Sequence, residues 1–144
     1  MIQIAPLSVA EYPAVLRLWQ ATEGITVRDA DSPADVERYL ERNPGLSFVA
    51  RDGDQVIGAV LCGHDGRRGY LNHLAVAAAY RHRGIGKSLV ERCLAALQQS
   101  GIDKCHLFVL DDNSPGQAFW KHTGWTPRED LVMMSRTLSG SPNA

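Results

Sequence analysis

Arg81-His82-Arg83-Gly84-Ile85-Gly86-Lys87-Ser88 is the stretch of this 144-residue chain whose composition and spacing most clearly point to chemistry. Two glycines remove the Cβ atoms that would keep a ligand off the backbone, and an apolar pattern beginning at Ile85 opens a helix there. The first turn of a helix offers unpaired N–H groups and the positive end of a dipole, so the turn reads as a phosphate cradle. Arg81, Arg83 and Lys87 add formal positive charge. Two nucleotide motifs fail when tested letter by letter. A P-loop requires glycine where Arg81 stands, and a dinucleotide fingerprint requires glycine where Leu89 stands.

The pattern that fits is R-x-x-G-x-G after the strand-like run Leu74-Ala75-Val76. It resembles the acyl-CoA pyrophosphate loop of the GNAT-type N-acetyltransferases. A second stretch, Asn113-Ser114-Pro115-Gly116-Gln117-Ala118-Phe119-Trp120-Lys121-His122-Thr123-Gly124-Trp125, resembles that superfamily's other signature in order and spacing, with two aromatics changed. The resemblance spans residues 70 to 125 and implies direct transfer of an acetyl group from acetyl-CoA to a primary amine of a small molecule or peptide. It also implies that the backbone of Leu74, Ala75 and Val76 pairs with the pantetheine arm, with the Val76 N–H as oxyanion donor. Gly84, Ile85, Gly86, Lys87 and Ser88 would then give N–H groups to the pyrophosphate, flanked by Arg81, His82 and Arg83. Asn113, Phe119 and Trp120 would lie beside the cofactor, with Asn113 or Ser114 orienting the pantetheine or a water.

The acid and base are less defined. Where the family carries a tyrosine acid this chain has Trp120, whose indole N–H has no titratable proton. Where the family places a glutamate base it has Asn72 or Tyr70. His73 has a suitable intrinsic pKa of about 6.5. Strand alternation, however, puts it on the face opposite Tyr70 and Asn72 unless a bulge intervenes. His64 and Asp65 offer a second approach to the cleft, and Glu23, Asp29 and Asp31 form an acidic group suited to a cationic amine or simply a polar loop. A noncatalytic acyl-CoA-binding domain of the same fold is the alternative these departures leave open. A phosphate-binding module of another fold is a further one.

These residues need elements to hold them. Tyr70 to Val76 is the incoming strand, and Ile85, Leu89, Val90, Cys93, Leu94 and Leu97 line one face of the following helix. Upstream, Ile2 to Ala5 reads as a strand, and Ser8 to Glu11 as a capping box before a helix through Trp19. Ser32-Pro33 starts a second helix that ends at Asn43-Pro44-Gly45. Leu46 to Arg51 and Gln55 to Cys62 form a hairpin about Asp52-Gly53-Asp54. Lys104 to Leu110 and Arg128 to Leu138 read as the last strands, and 139–144 as a disordered tail after a single domain over 1–138. The expected fold is α/β with mixed character, a central, mostly antiparallel sheet of about six to seven strands flanked by about four helices.

Bulk properties narrow the function classes. A net charge of −1 carries no general nucleic-acid or membrane-surface footprint, so the basic cluster is local and suits a small polyanion. Cys62, Cys93 and Cys105 lie in apolar runs and read as buried free thiols of a cytoplasmic protein. Neither a signal peptide nor a membrane span is expected. His64, His73, His82, His106 and His122 show no metal-ligand spacing. The resemblance is compatible with a homodimer, which nothing in the sequence requires.

Overall fold

A computed structural model describes residues 1–144. The chain divides into two compact units, Met1–Phe108 and Val109–Ala144. The first holds a five-stranded sheet in sequence order, β1 (Ile2–Pro6), β2 (Phe48–Asp52), β3 (Gln55–His64), β4 (Gly69–Val76) and β5 (Cys105–Leu107). Neighbours from β1 to β4 are antiparallel, and β4 pairs with β5 in parallel. Helices α1 (Tyr12–Gln20), α2 (Pro33–Arg42) and α3 (Ile85–Gln99) belong to this unit, and α4 (Ser114–His122) to the second.

Strand β3 explains how one sheet carries helices on both faces. Ile57 to Gly63 are buried without a break, as expected of a central strand covered above and below. Val49, Ala59, Leu61 and Ala75 form one core with Val15, Leu18 and Trp19 of α1 and Val36 of α2. On the opposite face Gly58 lets Leu89 of α3 approach to 3.1 Å of where a Cβ would stand. Each fully buried side chain of the size of Trp19 or Leu89 contributes roughly 1.5–3 kcal/mol of transfer free energy.

The helix starts follow their sequence signals. The Glu11 side chain accepts from the Ser8 amide at 3.1 Å, closing the capping box around a 3-10 turn, Val9–Glu11, that leads into α1. The Ser32 hydroxyl caps α2 by accepting from the Asp35 amide at 3.2 Å.

Two expectations need correction. The sheet has five strands, because residues 128–138 form no strand. Four apolar residues in a row, Leu131 to Met134, break the two-residue alternation of a half-buried strand, and no ladder satisfies their backbone. The second correction concerns β4. Leu61 stands opposite Asn72 and Ala59 opposite Ala75, so β4 carries one residue more than β3 across this interval. This bulge, in which His73 adopts φ 52°, cancels the simple alternation. His73 therefore reaches the α1 side, where its ring lies 4.9 Å from that of Trp19.

Candidate active site

The β4 edge is the first component of the site. β5 pairs with β4 only from Gly69 to Leu71 and leaves the outer edge from Asn72 to Val76 without a strand partner. The Ala77 amide donates to the Ile57 carbonyl on β3 at 2.8 Å. Antiparallel ladders alternate, so the Val76 amide one residue earlier points the other way, out along this open edge. The Val76 carbonyl accepts from Arg81 Nε at 3.0 Å, which ties the loop to the strand end.

The second component is the start of α3. Gly84 is its N-cap at φ 79°, a left-handed conformation that glycine adopts without strain, and no side chain caps the helix. The amides of Ile85, Gly86 and Lys87 therefore lack partners within the helix. The Ser88 amide donates to the Gly84 carbonyl at 3.0 Å, so Ser88 can offer a phosphate its hydroxyl and not its N–H. Arg81, His82 and Arg83 are exposed around the turn. The Arg83 guanidinium stands 5.0 Å over the Tyr80 ring, and Lys87 sits 3.9 Å from Glu91. Three open amides and a local excess of positive charge beside a free strand edge suit a long ligand with a pyrophosphate at one end and an amide-bearing arm.

On the α2 side of the sheet, Tyr39, Arg42, Asn43, Gly63, His64, Asp65, Tyr70 and Asn72 line a cleft of about 200 Å³. Of these, Tyr39 and Asn43 escaped the sequence reading, although their i, i+4 spacing on one helix face opposite a strand glycine was the available signal. The His64 amide donates to Asn43 Oδ1 at 3.0 Å. Burial pushes the Tyr39 hydroxyl's ionisation up, and Asn72, which faces it, offsets part of that rise without forming a regular hydrogen bond. His64 Nδ1 accepts from the Gly66 amide, and Asp65 Oδ1 accepts from the amides of Arg67 and Arg68. Those two side chains shape the turn as well as the cleft. A second hollow, of about 400 Å³ at the C-terminal end of α3, shares no lining residue with this cleft.

The acidic group of the first interhelix segment does not act as one cluster. Glu23 and Asp29 are exposed, whereas Asp31 is 7% exposed and bonded to His73. In the second unit, Asn113 Oδ1 caps α4 by accepting from the Gly116 amide at 3.0 Å. Trp120 stands between Phe119 and Trp125, with ring centroids 5.0 and 5.3 Å away and edges presented to faces.

The sequence pattern of the Acetyltransferase (GNAT) family matches residues 12–125. The chain belongs to that family. An acetyltransferase of Pectobacterium atrosepticum is 35% identical over 103 residues, 72% of each chain. The PaiA N-acetyltransferase of Thermoplasma acidophilum, solved with coenzyme A, superposes with a TM-score of 0.76 at 23% identity, covering 88% of this chain and 90% of its own. A chain of the NatC complex, solved with a Gag peptide and CoA, gives 0.75 at 25% identity, covering 89% and 86%. This acetyltransferase thus uses acetyl-CoA as cosubstrate and an amine as acceptor. No helix of the acetyltransferase is long and apolar enough to cross a membrane.

Proposed function

We propose that acetyl-CoA lies along the open edge of β4 with its pyrophosphate at the start of α3, and that its acetyl group passes directly to a primary amine of a small molecule or a peptide. The observation that carries this is the contiguity of two sets of unused backbone donors, the outer β4 edge ending at Val76 and the uncapped amides after Gly84. The peptide bound to NatC supports a peptide among the acceptors.

In this reading Leu74, Ala75 and Val76 extend the sheet by one ligand strand, and the Val76 N–H stabilises charge developing on the thioester oxygen. Ile85, Gly86 and Lys87 amides, with Arg81 and Arg83, hold the pyrophosphate, and the Ser88 hydroxyl and His82 ring border it. The thioester supplies an activated acyl group and a thiol leaving group with a pKa of about 8.5, so no strong acid is required to expel it. Tyr70 and Asn72 border the acceptor as hydrogen-bonding groups. Three unpaired cysteines support a reducing, cytoplasmic setting.

The test is thiol release from acetyl-CoA across a panel of amines, polyamines, amino acids and N-terminal peptides. Saturable release with at least one class, together with saturable acetyl-CoA binding, is expected. Binding without release from any acceptor would identify a noncatalytic acyl-CoA-binding domain instead.

A further inference from the structure

We infer that His73 and Asp31 form a proton-accepting pair, with His73 as the general base for the acceptor amine and Asp31 as its positioning residue. The inference rests on the acetyltransferase reading above. His73 Nε2 lies 2.9 Å from Asp31 Oδ1. Asp31 is itself fixed on two further sides. Its other carboxylate oxygen accepts from the Arg28 amide at 2.9 Å, and its main-chain carbonyl accepts from the Tyr12 hydroxyl at 2.5 Å. A carboxylate can only accept, so the network assigns the ring hydrogen to Nε2 and leaves the lone pair on Nδ1. The edge of the Trp19 ring system packs against the imidazole at 4.9 Å and 60°, which restricts its rotation.

Two features separate this pair from an ordinary structural tie. The first is the backbone. His73 holds φ 52° inside a strand, in the bulge directly before Leu74, Ala75 and Val76. A non-glycine residue is strained there, and such strain is retained where surrounding structure fixes a side chain in place. The second is asymmetric burial. The Asp31 side chain is 9% exposed and the His73 side chain 22%, so the carboxylate is shielded while the imidazole stays within reach of a ligand. The titratable groups facing the imidazole are Asp31, from the 3-10 turn Asp29–Asp31, and Tyr12, from α1, whose hydroxyl is engaged with Asp31.

The proton balance is simple. An acceptor arriving as an ammonium ion loses one proton to His73 Nδ1, and the nitrogen lone pair then forms the N–C bond as the carbonyl π electrons move to oxygen. Collapse breaks the C–S bond, and the sulfur leaves with the electron pair. The second nitrogen proton ends on the thiol, and the proton held by His73 passes to solvent. Asp31 stabilises the imidazolium during this interval without taking the proton.

The test compares wild type with His73→Gln and Asp31→Asn, measuring kcat/KM for the best acceptor against pH, with acetyl-CoA affinity and thermal melting recorded for each. For His73→Gln we expect a loss of about 100-fold near pH 7 that shrinks about tenfold per pH unit as bulk solution supplies neutral amine, with acetyl-CoA affinity unchanged. For Asp31→Asn, which keeps the side chain's shape and removes the charge that steadies the imidazolium, we expect kcat to fall about tenfold with acetyl-CoA affinity and melting temperature little changed. A kcat/KM profile of His73→Gln that runs parallel to the wild-type profile at every pH would overturn the assignment. Should the variants fold poorly, nitrogen NMR of wild-type His73 decides it: the neutral ring must carry its hydrogen on Nε2, and a hydrogen on Nδ1 would overturn the pair. A wild-type protein that binds acetyl-CoA and acetylates nothing would instead overturn the catalytic reading on which the pair depends.

Discussion

Gly63→Ala tests the packing behind the acceptor-side cleft. A Cβ at Gly63 would stand 2.6 Å from the Tyr39 hydroxyl and 2.7 Å from Asn43 Nδ2, against ordinary contacts of 3.4 Å or more. Neither neighbour yields easily. Asn43 is held by the His64 amide at 3.0 Å and by its own Nδ2 donating to the Tyr39 carbonyl at 3.2 Å, and the Tyr39 hydroxyl is buried. Overpacking of this kind costs about 1–3 kcal/mol, and weakening the Asn43 to His64 hydrogen bond adds about 1 kcal/mol. We expect a total of about 2–4 kcal/mol, read as a melting temperature lowered by about 6–12 °C. Gly58→Ala is the control, since the one tight contact of its Cβ would be Leu89 Cδ1 at 3.1 Å, the end of a flexible side chain, with Ala50 Cβ and the Ala75 carbonyl at an ordinary 3.4 Å. Its cost should stay below about 1 kcal/mol. Tyr39→Phe removes a buried hydroxyl that has no hydrogen-bond partner, so alone it should be neutral or stabilising, and combined with Gly63→Ala it should recover about half of the loss. Equal melting shifts for Gly63→Ala and Gly58→Ala, or no recovery in the double variant, would refute the proposed contact between β3 and α2.

Further outcomes follow from other contacts. The Tyr80 hydroxyl and the chain's amino terminus hold the Asp52 carboxyl below its ordinary pKa, so this contribution to stability is present above the unfolded value and is lost as pH falls through the folded one. Tyr80→Phe should raise the Asp52 pKa toward its ordinary value in a carboxyl NMR titration, and an unchanged value would remove that cause. Burial pushes the Cys105 thiol up to about 12, leaving about one thiolate per ten thousand at pH 8, and Cys62 and Cys93 are buried. Native protein should therefore resist alkylation at all three cysteines until it is unfolded, which mass spectrometry measures. Trp19 is fully buried between α1 and the sheet, and Trp19→Ala should cost about 3–5 kcal/mol in denaturant titration and free the His73 ring it packs against.

Much of the fold was readable because its signals are local. Ser8 with Glu11, Ser32 with Pro33, and Asp52-Gly53-Asp54 each specify a helix start or hairpin within a few residues, and each stands where expected. The shape of the turn proposed to hold acyl-CoA was readable for the same reason, since the left-handed Gly84 and the uncapped helix start after it are set by local sequence. What sequence reading lost depends on partners distant in the chain. The β4 bulge exists because β3 presents one residue fewer between Ala59 and Leu61 than β4 does between Ala75 and Asn72, and no pattern within β4 announces it. His73 was consequently assigned to the wrong face, and its link to Asp31, 42 residues earlier, could not be seen. Likewise Arg128 to Leu138 has strand-like residue types but pairs with no strand, and strand propensity without pairing makes no strand.

The place where acetyl-CoA binds is the most direct point of test. Titration calorimetry of acetyl-CoA with wild type and with Gly86→Glu, each checked for folding by circular dichroism, measures this. A side-chain carboxylate among the amides of Ile85, Gly86 and Lys87 places negative charge where a pyrophosphate would lie, and the account predicts saturable wild-type binding weakened at least about 100-fold in the variant, roughly 3 kcal/mol. Equal affinity in a folded Gly86→Glu protein would contradict it.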